Sequence, residues 1–182
     1  MSDQAVIVSI ARTPIGKAHR GAFNATHGVE MAGHAARHAV ERSGVDPEMI
    51  EDSIWGCGYP QGATGRNIAR QAVIRAGLPV TIAGTTVNRF CASGLQTVAM
   101  GGHMILQEGS KAILVGGVES ISRVQPPPDE APNDWIMEHR PAGVPVMPQG
   151  HKAERRDHVV ERPNGRPGKA FVPLLHPRSG ER

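Results

Sequence analysis

"TTVNRFCASGLQTVAMGGHMILQEGSKAILVGGVES", Thr85 to Ser120, reads as strand, helix, strand, with a cysteine at the first junction. "AGTTVNRF" (83–90) has an extended, β-branched pattern, and "KAILVGG" (111–117) is a short apolar run of the kind a sheet buries on both faces. Between them Leu95, Val98, Ala99, Gly102 and Ile105 recur at helical spacing, which predicts a helix over Ala92 to Gln107 with one face in the core. Two strands joined by such a crossover run parallel. Cys91 then stands at the first turn of that helix, where unpaired backbone N–H groups and the positive end of the helix dipole favour a thiolate. Ala92, Ser93 and Gly94 follow it and are small enough to leave the sulfur approachable. A buried structural cysteine is the competing reading, and spacing alone does not choose between them.

Upstream, the same alternation continues. "AVIVSI" (5–10) has a buried-strand pattern and leads into the turn-prone "RTPIGK". Val29, Ala32, Ala35, Ala36, Ala39 and Val40 share one face of a helix over Val29 to Ser43, with Gly44 as its stop. "DPEMIED" begins a short helix with Asp46 as N-cap and Pro47 in its first turn. "SIWGCG" is a strand entering a turn, and Asn67 to Ala76 is a helix closed by Gly77 and Pro79. The expected fold class is therefore α/β, a βαβαβ arrangement with a mostly parallel sheet and helices packed on it.

Composition agrees with this layer structure. The 182 residues suffice for one domain with a core, or for a domain and an appendage. With 22 Gly, 15 Pro and only 3% aromatic residues, the core must be built from Ala, Val, Ile and Leu around close backbone contacts. No apolar run is long enough to span a bilayer, and "MSDQAVIVSIARTP" lacks the layout of a secretion signal, so a cytoplasmic protein is expected, with no membrane partner. Two cysteines do not make a disulfide framework, and free thiols are expected. Residues 151–182 hold 8 Lys+Arg against 4 Asp+Glu, which leaves 12 against 13 for residues 1–150. The net charge of +3 thus belongs to the tail, and no basic face for nucleic acid is expected.

After Ser122 the pattern changes. Seven prolines between 126 and 148 prevent any long regular element. "PPPDEAP" (126–132) would suit a polyproline-binding module but reads better as loop. His34 and His38 have zinc-pair spacing without a third ligand and read as a solvated polar face, so no metal is expected. Residues 155–182 show no sustained period and are expected to be poorly ordered. The chain is thus divided into an α/β domain over 1–122, the start of a proline-rich loop region over 123–154, and a basic tail over 155–182.

"VNRFCASGLQTVAMGGHMILQEGSKAILVGGVESIS" resembles the nucleophile segment of the thiolase family, with Asn88, Cys91, Ala92, Ser93, Gly94, Gly116, Gly117, Glu119, Ser120 and Ser122 on its pattern and Ile121 in place of the usual Met. "ARTPIGKAHRGAF" (11–23) resembles the family's opening strand and loop, "GATGRNIARQAVIRAGLP" (62–79) a further family segment, and "GHKAER" (150–155) is similar to a later one. The resemblance runs from Val6 to Ser122, weakens to Glu154 and then stops. It implies a thiolase-like N-terminal half followed by a truncated loop region. Cys91 would be the acyl-accepting nucleophile of a coenzyme-A-dependent acyltransferase, its backbone N–H donating to the oxyanion, with thiolysis or Claisen condensation to follow. Coenzyme A thioesters are the implied substrates, with no permanently bound cofactor, and no cofactor-binding residue is assigned.

The resemblance also implies a homo-oligomer, made through Thr85 to Asn88 with Gly62 to Arg70 close by, or pairing with a second thiolase half. The family's second-half strings Asn-Glu-Ala-Phe, Gly-His-Pro and Cys-x-Gly-x-Gly do not occur here. Cys57, in "WGCGYP", is expected to be filler behind the sheet. Three readings follow: an enzyme half that needs a second polypeptide, a non-catalytic remnant that binds acyl-CoA or a full-length relative, and a condensing enzyme of the ketoacyl-synthase kind, which the motifs fit less well. Acyl chain length and physiological direction are left open.

Overall fold

The computed structural model of the chain describes residues 4–124, 133–139 and 169–177. The chain divides into two compact units, Met1–Gln125 with Arg166–Arg182, and Pro126–Gly165. The described part of the second unit is a six-residue helix, Asp134–His139, which fits between Pro132 and Pro141.

The first unit is built on a five-stranded sheet. Its strands are β1 (Ala5–Arg12), β2 (Ile50–Gly56), β3 (Ala83–Val87), β4 (Ala112–Glu119) and β5 (Lys169–Pro177), in the order β1-β5-β4-β2-β3. β2 pairs parallel with both β3 and β4, as the crossovers require. β5 is antiparallel to β4 on one side and to β1 on the other. The helices are α1 (Gly28–Ser43), α2 (Ile68–Ala76) and α3 (Ser93–His103), the last extended by a π-helical turn over Met104–Glu108. Gly44 and Gly77 end α1 and α2 in the left-handed conformation, at φ 70° and 73°. Asn67 caps α2 by accepting from the Arg70 N–H. Pro47–Met49 is a 3-10 turn capped by Asp46, rather than the start of a longer helix.

Strand alternation divides the core into two layers. Trp55, Leu114, Val172 and Leu174 face α1 and α2, where Ala32, Ala36, Ala39, Ala69 and Ala72 let the helices sit close to the sheet. The Trp55 indole N–H is satisfied within this layer by Ser53 Oγ at 2.8 Å. Ile54, Ile113, Val115 and Leu175 face the other way, under Val98, Met100 and Met104 of the α3 segment. Among the described residues two helices cover one face and one covers the other. The described residues cover the second face incompletely, and Ile7 and Ile10 of β1 are 53% and 55% exposed.

β5 corrects the sequence reading of 155–182 as a poorly ordered tail, for the nine residues Lys169–Pro177. Val172 and Leu174 are fully buried and Leu175 nearly so, and hydrophobic burial on both faces holds the segment in the sheet. Its interior Pro173 leaves a mark. The ladder to β4 pairs Leu114 with Leu174 and Gly117 with Phe171 but skips Val115 and Gly116, where a residue without an N–H cannot complete the pattern. The other tail residues, and the loop region apart from 133–139, lie outside the described residues.

Candidate active site

The junction between β3 and α3 is tighter than the sequence suggests. β3 stops at Val87, and Phe90–Ala92 form a 3-10 turn that runs directly into α3. Phe90 adopts φ 47°, in the left-handed region that a bulky side chain enters only at a cost of about 1–2 kcal/mol. The turn is held by side chains on both sides. Asn88 Oδ1 accepts from the Phe90 N–H at 2.8 Å, and Ser93 Oγ accepts from the Arg89 N–H at 2.8 Å while donating to the Phe90 carbonyl at 2.6 Å. Cys91 sits in the middle of this turn and is exposed. Among the described residues no acceptor is hydrogen-bonded to the Cys91 N–H.

Beneath the turn, the start of α3 rests on backbone. A Cβ at Gly56 would lie 2.4 Å from the Ser93 carbonyl carbon and 2.7 Å from the Gly94 nitrogen, so only glycine permits this approach of β2 to α3. Thr97 Oγ1 lies 2.8 Å from the Gly94 carbonyl and 3.1 Å from the Gly116 carbonyl, so its one hydroxyl proton is shared between α3 and β4. The exposed thiol therefore stands on a rigid base.

Cys57 is a different kind of cysteine. It is buried, with its sulfur 3.9 Å from the Thr64 carbonyl and 3.7 Å from Glu119 Oε1. Burial first, and the Glu119 carboxylate second, push its thiol up to about 12. At neutral pH it is a protonated, inert thiol.

Glu119 is on the motif, and its local sequence does not mark its task. It is half-buried at the end of β4, and its Oε2 accepts from the Gly58 N–H at 2.7 Å and the Tyr59 N–H at 3.3 Å. Burial raises its carboxyl above the usual carboxylate range, and the N–H groups of Gly58 and Tyr59 oppose that shift. The only sequence signal for such a residue is an acid closing a buried strand. Its partners lie about sixty positions away and give no local trace.

The rings of His34 and His38 meet edge to face at 4.5 Å, and among the described residues no group of three or more His, Cys, Asp or Glu is placed to hold a metal ion. No described helix is long and apolar enough to cross a membrane.

A mixed five-stranded sheet with helices on both faces and an exposed thiol at a strand-to-helix turn defines a thiolase-like α/β fold. The family described as Thiolase, N-terminal domain matches residues 5–143, and the chain belongs to it. A 3-ketoacyl-CoA thiolase of Bacillus subtilis (strain 168) is 37% identical over 153 residues, which are 84% of this chain and 39% of the relative. A 3-ketoacyl-CoA thiolase of Aliivibrio salmonicida (strain LFI1238) is 40% identical over 120 residues, 65% of this chain and 31% of the relative. The crystal structure of the Bacillus anthracis acetyl-CoA acetyltransferase superposes with a TM-score of 0.63 at 34% identity, covering 68% of this chain and 31% of that one. The chain thus spans from 31% to 39% of the length of these relatives.

Proposed function

We propose that this chain supplies the acyl-accepting part of a thiolase-type acyltransferase, with Cys91 as nucleophile. The observation that carries the reading is the exposed Cys91 thiol on a turn fixed by Asn88, Ser93 and the Gly56 contact. The thiolate attacks the carbonyl carbon of an acyl-CoA thioester. A Cys91 S–C bond forms, the carbonyl π electrons move to oxygen, and collapse of this tetrahedral species breaks the bond to the coenzyme A sulfur, which leaves as a thiolate and takes a proton from solvent or an acid group. The Cys91 N–H, which no acceptor among the described residues holds, is available to the oxyanion. Thiolysis or Claisen condensation needs further proton transfer, and the strings that carry those groups in the family are not among these 182 residues.

Support for a second half comes from the α3 side of the sheet. Leu95 on α3 and Leu106 in the π-helical turn after it are 75% and 40% exposed, Ile7 and Ile10 of the edge strand β1 are 53% and 55% exposed, and among the described residues one helix does not cover five strands. β3 is the last strand of the sheet, which suits an oligomer made by strand pairing through Thr85 to Asn88. Acyl-CoA is the proposed small-molecule partner, no resident cofactor is required, and the cytoplasm is the proposed compartment.

The test is incubation of the purified chain with acetyl-CoA, followed by intact-mass measurement and peptide mapping. One acetyl group on Cys91, with stoichiometric release of coenzyme A, is expected. Absence of acetylation, with tight binding of acyl-CoA, would favour a non-catalytic binding remnant.

A further inference from the structure

We propose that Glu119 is a positioning residue for Cys91, acting through the loop Cys57–Tyr59 and the side chain of Asn88. This rests on the reading of Cys91 as the nucleophile. The route is a continuous chain of hydrogen bonds. Glu119 Oε2 accepts from the backbone N–H groups of Gly58 and Tyr59 at 2.7 and 3.3 Å and so fixes the loop that leaves β2. The Gly58 carbonyl of that loop accepts from Asn88 Nδ2 at 3.1 Å. Asn88 turns its Oδ1 to the Phe90 N–H at 2.8 Å, one residue before the nucleophile. A carboxylate at the end of β4 is in this way connected to the left-handed Phe90 turn that presents the thiol.

Two observations show that the first link is close-fitting. A Cβ at Gly58 would lie 2.9 Å from Glu119 Oε2 and 3.6 Å from the Phe90 carbonyl, so the loop backbone is held between the carboxylate and the nucleophile turn. Both N–H groups share one oxygen, so the link needs an acceptor of the right shape and does not need a net charge. The remaining oxygen faces the Cys57 sulfur at 3.7 Å. A glutamine can place its amide oxygen where Oε2 stands and turn its NH₂ toward that sulfur. Alanine removes the acceptor and leaves two loop N–H groups without it.

The consequence at Cys91 is orientation. With Asn88 anchored, the Phe90 turn holds the sulfur at the start of α3. With the loop released, Asn88 loses the partner of its Nδ2, and the turn relaxes from its unfavourable φ. The sulfur then loses part of the field of the helix end, which acts only within the first turn.

The experiment compares the full 182-residue chain with Glu119→Ala, Glu119→Gln and Asn88→Ala. It measures the iodoacetamide modification rate of Cys91 by peptide mass spectrometry, and amide hydrogen exchange at residues 88–92 against α1. Glu119→Ala and Asn88→Ala are expected to react about threefold more slowly at Cys91, with faster exchange at 88–92 and unchanged exchange in α1. Glu119→Gln is expected to keep the wild-type rate. A purely structural Glu119 would lower the melting temperature and raise exchange in α1 as well, with the Cys91 rate intact, and that result overturns the proposal. A fall in Glu119→Gln as large as in Glu119→Ala overturns it too, because charge and not acceptor geometry would then be at work. Asn88 is exposed, so Asn88→Ala keeps the test in hand where Glu119→Ala does not fold, and an unchanged rate in it breaks the route. Iodoacetamide needs no acyl-CoA recognition, so failure of the wild-type chain to accept an acetyl group counts against the proposed function and leaves this comparison standing.

Discussion

Cys57 and Cys91 show how strongly position decides the chemistry of one side chain. One thiol lies buried at the start of the loop after β2, desolvated and beside a carboxylate, and the other stands exposed on a turn at the start of α3. Brief treatment with a thiol reagent near neutral pH should label Cys91 and spare Cys57, as peptide mapping would show. Preferential labelling of Cys57 would reverse the assignment. The place of Cys91 was legible because strand and helix patterns meet there. The task of Glu119 was not, because its partners are remote in sequence. Glu119 also carries a pH signature. Its carboxyl is held above the ordinary value, mainly by burial, so the native protein keeps a proton that the unfolded chain has already released. Native stability due to this group is present below the unfolded value and is lost as pH rises through the folded one. Glu119→Gln has no such proton to lose. Its stability relative to wild type should improve as pH rises above the ordinary carboxylate range, measured by urea unfolding, and a difference that stays constant with pH would argue against the burial penalty.

Among the elements, α3 and β5 depend on the sheet in opposite ways. α3 approaches β2 through a missing side chain, and Gly56→Ala would set a methyl carbon against the Ser93 backbone, which has no rotamer with which to yield. A loss of about 1–3 kcal/mol is expected, together with an altered Cys91 labelling rate, and wild-type values for both would show that the contact is looser than described. β5 instead depends on filled volume. Leu174 is fully buried, and Leu174→Ala should cost about 2–5 kcal/mol in urea unfolding. A change near zero would place the strand outside the core. β1 to β4 and all three helices of the first unit were legible from periodicity and capping residues. β5 was not, because "FVPLL" is short, carries an interior proline and borrows its stability from strands remote in sequence.

For the molecule as a whole, the layer class could be read from the alternation of strands and helices, whereas the strand order could not. Order depends on which faces remain to be buried, and that is a property of the assembled sheet. The same sheet sets the expectation for turnover. General acid and base steps typically contribute on the order of 10² to 10⁴ in rate, and the family strings that carry them are absent from these 182 residues. The chain by itself should form an acyl-enzyme but show no multiple-turnover thiolysis of acetoacetyl-CoA in a coenzyme A release assay. Sustained turnover would mean that other residues of this chain move the protons.

The insertion of β5 between β1 and β4 also sets an order of events during synthesis. Among the described residues β1 has no strand partner except β5, and Ala5 pairs with Pro177. β1 must therefore wait for a strand made far later in the chain. While the ribosome is still translating, β2, β3, β4 and their helices can assemble from neighbouring segments, but the backbone N–H and C=O groups of β1 that pair with β5 stay without that partner. A nascent chain stalled anywhere before residue 169 carries β1 as an open strand edge, and chaperone binding there should fall once β5 has emerged.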